Sequence, residues 1–256
     1  MYNKEHYKEI IKNFRSNLKD ISENIEWLLK RTLEVGKDFG GPSVYFHKMA
    51  IMEQRNNFLG KNHLIMIYAL MPSWGMHRMG SKGAKMENFN VFENEILKNK
   101  ELLFELKNKK YINANIEDIL KLITEYIHIS KSDSYLVSSS KVLHHIIPEI
   151  VSPIDRNYSI RFMQKNKNDW GSKSINIQNE KAYAQIFLEE MHKFIDKNGD
   201  KMLNYIVKVN NDNINDETFN TSLTKTFDNL IMTYVKENRS GLSAAANAVT
   251  ADDSPR

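Results

Sequence analysis

The chain has 256 residues, 41% of them apolar and 27% charged, which excludes a disordered or fibrous polymer. The length suits one large domain or two small ones. The formal charge of +4 is too modest to require an anionic partner, and the absence of cysteine excludes disulfides, thiolate metal sites and a cysteine nucleophile.

The spacing of apolar residues is mostly helical. Tyr7, Ile10, Ile11, Phe14, Leu18, Ile21, Ile25, Leu28 and Leu29 recur at intervals of three and four, which predicts one long amphipathic opening helix. The first break is the group Gly36, Gly40, Gly41 and Pro42, and the apolar run Leu64 to Met71 then predicts a buried helix. Pro72, Gly75, Gly80 and Gly83 form the next joint. Helical spacing returns over Phe92–Leu106, Ile116–Ile127, Tyr183–Ile195 and Phe219–Tyr234, with Pro148 and Pro153 as the third joint. Lys173–Gln178 alone suggests a short extended piece. The expected fold is therefore all-α, with about eight helices. It is expected to form one domain over residues 1–239, divisible into lobes at 1–110 and 111–239. The stretch 240–256 is small, polar and alanine-rich, and is expected to be a flexible tail of the kind a vector leaves behind, without functional role.

No apolar run reaches the roughly 18 residues that a spanning helix needs, and the charged residues 1–12 do not resemble a secretory signal. No membrane contact and a cytoplasmic location are the corresponding expectations. Charge is uneven: residues 1–110 carry 19 basic and 13 acidic side chains, whereas residues 211–256 carry 4 and 7. Between Gln54 and Met86 there is no acid, while Arg55, Lys61, Arg78, Lys82 and Lys85 are present. Such a window makes a local positive field, or is simply a solvated stretch.

Three segments carry chemistry-bearing residues. In Phe39–His47, two glycines precede Pro42, as at a helix start that exposes backbone N–H groups; Tyr45, Phe46 and His47 are expected to pack in the core. Met71–Lys85 mixes Trp74, His77, Arg78, Lys82 and Lys85 with three glycines. Its cations can pair with phosphate and its indole offers a stacking face, a combination suited to single-stranded or distorted nucleic acid. The third segment runs from Ser138 to Phe162. A serine-rich turn leads into a helix bearing Lys141, Val142, Leu143, Ile146 and Ile147; Pro148 ends it, Pro153 forces an extended approach, and Asp155 stands where a helix N-cap belongs. Arg156, Tyr158, Arg161 and Phe162 follow on that next helix. Read singly, Lys141 is a solvated lysine and Asp155 a cap.

Taken together, Ser134–Phe162 resembles the core of the helix-hairpin-helix DNA glycosylase superfamily: a lysine opens the second helix of a hairpin, a proline-containing extended stretch follows, and an aspartate caps the next helix. The resemblance implies a glycosylase-like helical fold, DNA as partner and base-excision chemistry on damaged DNA. It places Lys141 at the Schiff-base lysine of the bifunctional members, Asp155 at the catalytic aspartate and Arg161 at a basic position that follows it. In the family the aspartate stabilises an oxocarbenium-like sugar, and the deprotonated lysine attacks C1′ after base flipping. Two departures are visible. Leu136-Val-Ser-Ser-Ser140 stands where the family has a glycine-rich turn, and the lysine-to-aspartate interval is shorter by about one helical turn.

His144 and His145 complete the set of pocket residues expected with Tyr158. Neighbours on a helix point about 100° apart, so the two are not expected to share a metal, and neither a metal nor another cofactor is expected. The alternative to DNA chemistry is a non-catalytic helical interaction module of a defence or regulatory system with a protein partner. The methionines clustered between 49 and 86 would then form an adaptable apolar surface.

Overall fold

The computed structural model describes residues 4–37, 41–76, 79–80, 83–131, 135–164, 179–212 and 220–251. The fold is all-α and multi-helical. The helices among the described residues are α1 (Lys4–Glu23), α2 (Ile25–Lys37), α3 (Pro42–Asn56), α4 (Lys61–Met71), α5 (Phe89–Leu97), α6 (Lys100–Lys107), α7 (Ile116–Lys121), α8 (Leu136–Ile146), α9 (Arg161–Gln164), α10 (Glu180–Asp212) and α11 (Leu223–Ala251). A two-residue ladder pairs Met79–Gly80 with Gly83–Ala84. Three π-helical turns widen the backbone: Pro72–Met76 continues α4, Leu122–Tyr126 continues α7, and Arg156–Ile160 leads into α9.

The opening helix is two helices. At Asn24 the side-chain amide donates to the Asp20 carbonyl (2.9 Å), competing with the backbone for the same acceptor, and the chain turns before resuming at Ile25. The stripe Ile10, Phe14, Leu18 and Ile21 is buried as its spacing predicts. Phe14 meets Phe162 edge-on (5.7 Å between centroids, 90°) and stacks on Phe187 (5.8 Å, 14°), which ties α1 to α9 and α10. α2 in turn packs on α11, and one continuous core runs from Ile10 to Val235.

α8 lies at the centre. Ten of its eleven residues are buried, against neighbours that include α3, α4, α10 and the Leu122–Tyr126 turn. A helix buried all round has no apolar stripe to display, yet this one carries three serines, a lysine and two histidines. Its free N-terminal N–H groups are met by another helix: Tyr135 and Leu136 both donate to Glu180 Oε2 at 2.7 Å. A carboxylate there also complements the helix dipole.

α11 continues to Ala251, so most of the expected tail is helical. Alanine is the best helix former and needs no buried face to favour that conformation. Lys173–Gln178 and Phe219 lie outside the described residues. Among the described residues no helix is long and apolar enough to cross a membrane. Of the methionines between 49 and 86 whose side chains are described, Met71 and Met86 are buried, Met66 is half-buried and packs on the core, Met49 is half-buried and Met52 is exposed.

Replacing Glu180 by Ala is expected to lower the stability of the chain by about 2 kcal/mol, because two charge-assisted hydrogen bonds at a buried helix start are lost together. Urea unfolding midpoints of wild type and variant measure this. An unchanged midpoint would show that α8 does not depend on the cap.

Candidate functional site

The segment from Pro148 to Asp155 returns along α8. Its path is set by polar atoms of the buried helix. The Ile154 N–H donates to Ser140 Oγ (3.1 Å), and the Val151 carbonyl accepts from His144 Nδ1 (2.7 Å). Asp155 then caps the Arg156–Ile160 turn: its Oδ1 accepts from the N–H groups of Asn157 (2.7 Å) and Tyr158 (3.3 Å). Its own N–H donates to Ser159 Oγ (3.1 Å). The sequence reading of Asp155 as an N-cap agrees with this geometry, and the cap leaves Oδ2 facing Lys141 Nζ at 3.5 Å.

Lys141, which taken alone reads as a solvated lysine, is buried, with 6% of its surface exposed. Its ammonium donates to the Trp74 carbonyl (3.1 Å) and lies 5.7 Å from the centre of the Trp74 ring. Trp74 sits in the π-turn after α4, where the widened backbone carries both its carbonyl and its ring toward α8. Irregular turns of this kind recur at functional sites. Here two of the three border one cavity.

That cavity is about 220 Å³ and is lined by Trp74, Lys141, Pro153, Asp155 and Tyr158 together with Ser43, Ser73, Lys225, Asp228, Asn229 and Met232. Four of the residues singled out in the sequence therefore meet: Trp74, Lys141, Asp155 and Tyr158. Lys85 is exposed and does not line it. Arg156 is exposed and Arg161 half-buried on the same helical segment, and neither faces the cavity. His77, Arg78 and Lys82 lie outside the described residues.

Lys225 and Asp228 are the residues that sequence reasoning missed. They form a buried ion pair within α11 (2.5 Å), and Lys225 Nζ lies 5.4 Å from the centre of the Trp74 ring, so two ammonium groups attend one indole. Burial pushes the Asp228 carboxyl up, Lys225 opposes that shift, and Asp155 adds to it. The signal was present. Asn220, Ser222, Thr224, Lys225, Thr226, Asp228 and Asn229 crowd the start of α11 among the large apolar Leu223, Phe227, Leu230 and Ile231, and all seven polar residues are buried. So many buried polar groups need partners, and a site is one way to provide them.

Behind the Trp74 wall, His47 of α3 joins His144 and His145, all three fully buried. His47 is stacked on Trp74 (5.9 Å, 22°), and its Nδ1 lies 2.9 Å from His145 Nε2. The adjacent histidines meet edge-on, with ring planes at 82° and ring centres 5.0 Å apart, and both rings border His47. His63 backs the cluster by donating from Nε2 to the His145 carbonyl (3.0 Å). Burial holds all four rings neutral: His63 falls from 6.5 to about 4, His144 to about 3, and His47 and His145 well below the ordinary value.

No known protein family, curated protein or solved structure matches this chain. What the site can do therefore rests on its own geometry: a carboxylate and an ammonium in contact at an aromatic-walled cavity, with a second such pair beside them.

The histidines make stability depend on pH with a definite sign. Below pH 6.5 the unfolded chain takes up protons on these rings, and the folded chain does not until about pH 4 for His63 and about pH 3 for His144. The stability present above pH 6.5 is thus lost as pH falls through that window, by up to about 1.4 kcal/mol per pH unit for each ring. Melting in chelator-containing buffer from pH 8 to 4.5 should show a plateau above about pH 7 and a steep fall below it. A melting temperature constant down to pH 5 would mean that these rings are not held neutral by burial.

Proposed function

We propose that this protein binds DNA and carries out base-excision chemistry of the glycosylase type, with Asp155 and Lys141 as its catalytic pair. The observation that carries the reading is the meeting of Lys141 Nζ and Asp155 Oδ2 at 3.5 Å on the wall of a cavity that Trp74 also lines. A cavity of about 220 Å³ is smaller than the roughly 300–1,000 Å³ of drug-sized sites, and suits a single flat ring system better than an extended ligand. A base taken out of a duplex is such a ring system, and a tryptophan face is a suitable surface to stack it on.

The residues then take complementary parts. Asp155 has one oxygen fixed by the cap and the other paired with Lys141 at the cavity, so it can stabilise positive charge on a sugar from which a base departs. Lys141 is the nucleophile of the bifunctional version. It gives a proton to a nearby carboxylate, for which Asp155 is within reach, and its freed amine forms a bond to C1′ while the bond from C1′ to the base breaks; the base leaves with the bonding pair and takes the proton that Asp155 received, and opening of the sugar ring then gives the imine that borohydride reduces. Trp74 and Tyr158 hold the base. The acid-free window from Gln54 to Met86 supplies positive charge on the chain leading into and out of Trp74.

The test is binding and cleavage on labelled duplexes containing undamaged, mismatched, abasic, oxidised or alkylated sites, at low and moderate salt, with borohydride trapping. Affinity should fall as salt rises, since phosphate neutralisation releases counterions. Asp155→Asn should reduce base release by about a hundredfold or more, a loss of roughly 3 kcal/mol of transition-state stabilisation. Lys141→Gln should abolish the trapped adduct while the duplex is still bound. Failure to bind any of these duplexes at low salt would remove the reading, and the helical interaction module would take its place.

A further inference from the structure

The histidine cluster behind the cavity is not used by that chemistry, and its hydrogen bonding has an unfilled place. His144 Nδ1 faces the Val151 carbonyl oxygen at 2.7 Å, and His145 Nδ1 faces the Lys141 carbonyl oxygen at 2.7 Å. A carbonyl can only accept, so both Nδ1 atoms carry the proton and both Nε2 atoms present a lone pair. His145 Nε2 has His47 Nδ1 at 2.9 Å. His144 Nε2 is fully buried and has no hydrogen-bond partner among the described residues. An unpaired acceptor in the interior is costly, and His144 belongs to a group of three buried histidines that each offer a ligand nitrogen within 4.8 Å of the others'.

We propose that His47, His144 and His145 form a binding site for one divalent transition-metal ion of the zinc class. Three neutral imidazoles without a carboxylate select borderline ions such as zinc or cobalt over magnesium or calcium. The outer hydrogen bonds are those of metal-ligating histidines, which usually give their second ring N–H to a backbone carbonyl or a carboxylate. His144 and His145 do so already, and His63 braces the His145 carbonyl from the other side.

Only His47 must change. Its proton moves from Nδ1 to Nε2, which faces Thr221 Oγ1 at 3.3 Å, and that hydroxyl oxygen accepts it. The ring stays neutral, no proton leaves the protein, and Nδ1 becomes the third ligand. Ring nitrogens about 2.0–2.1 Å from a tetrahedral ion stand about 3.4 Å from one another, so separations that now reach up to 4.8 Å close by at most about 1.4 Å, while the His47 Nδ1–His145 Nε2 pair, at 2.9 Å, opens by about 0.5 Å. Lys225 opposes a cation here, and its partner Asp228 offsets it. Burial favours the site in one further way, because it holds the rings in the neutral form that ligates. Three protein ligands leave a fourth position for water.

The test uses the full chain, stripped with a chelator, dialysed, and titrated with zinc and separately with cobalt. One ion per chain, visible tetrahedral cobalt bands and a rise of several degrees in melting temperature with zinc are expected. His144→Asn keeps a side-chain donor for the Val151 carbonyl but deletes the Nε2 ligand, and should weaken binding by about tenfold or more. His128→Gln, at an exposed ring, should bind as wild type does. Absence of zinc and cobalt uptake by the wild type, or equal uptake by His144→Asn, overturns the proposal. If His144→Asn does not fold, the wild type decides: cobalt bands with a zinc-dependent melting shift support the site, and the absence of either overturns it. Metal uptake and base release are read separately, so the failure of one does not imply the failure of the other.

Discussion

The structure depends on a constraint at α8: a helix buried on all sides that carries serine, lysine and histidine must find a partner for nearly every polar atom it holds. An unmade hydrogen bond in the interior costs about 1–3 kcal/mol, a large part of the whole stability of a domain. The partners found are consequently pins that locate other segments. Ser139 holds the Ile127 carbonyl, Ser140 holds the Ile154 N–H, His144 holds the Val151 carbonyl, and Lys141 holds the Trp74 carbonyl. Apolar packing brings the surrounding helices to α8, but it would tolerate many small shifts of the Pro148–Asp155 segment. The directed bonds do not. Asp155 comes to face Lys141 because Ser140 and His144, on the same helix, have already fixed the strand of chain that leads to it.

That constraint also explains what the sequence could and could not reveal. Helices with one wet face were legible: the stripe of α1 and the spacing in α10 and α11 are buried where periodicity places them, whereas the apolar run of α4, expected to be buried throughout, buries Leu64, Ile67, Leu70 and Met71 and leaves Ile65 exposed. Periodicity carries no information about a helix buried all round, so Lys141 read as solvated when it is in fact a centre of the interior. The cap at Asp155 was readable because capping is local, involving N–H groups two and three residues onward. The partnership of Lys141 with Trp74 spans 67 residues, and that of His47 with His145 spans 98, and no local rule reaches so far. The argument that neighbouring histidines diverge considered two rings alone. It omitted the third ring, which α3 brings to lie between them.

Buried ion pairs are weak evidence of stability, since the cost of taking two charges out of water can exceed their attraction. Lys225 and Asp228 are both almost wholly buried, Lys141 is too, and Asp155 is partly so. Well-packed apolar side chains at these positions would serve folding at least as well. Charges placed at such a cost around one indole make sense as preorganisation: fixed dipoles and charges act most strongly where water is excluded, and they need no rearrangement when a ligand arrives. The wall behind them is built to the same end, with neutral imidazoles that fill space beside Trp74 and add no charge of their own.

Lys141 joins the cavity and the histidine cluster mechanically. Its ammonium reaches Trp74 and Asp155, while its backbone carbonyl receives the Nδ1–H of His145 one helical turn onward. A rotation of α8 that carried Lys141 away from Asp155 would also carry His145, one turn along the same helix, away from His47. The Trp74 ring is held between the same two parts, with its carbonyl on the lysine and its indole against His47 and His145. The position of the aromatic wall is therefore over-determined from both sides. Whatever stiffens the three histidines, a metal ion above all, stiffens the face on which a ligand in the cavity would stack, without touching that ligand.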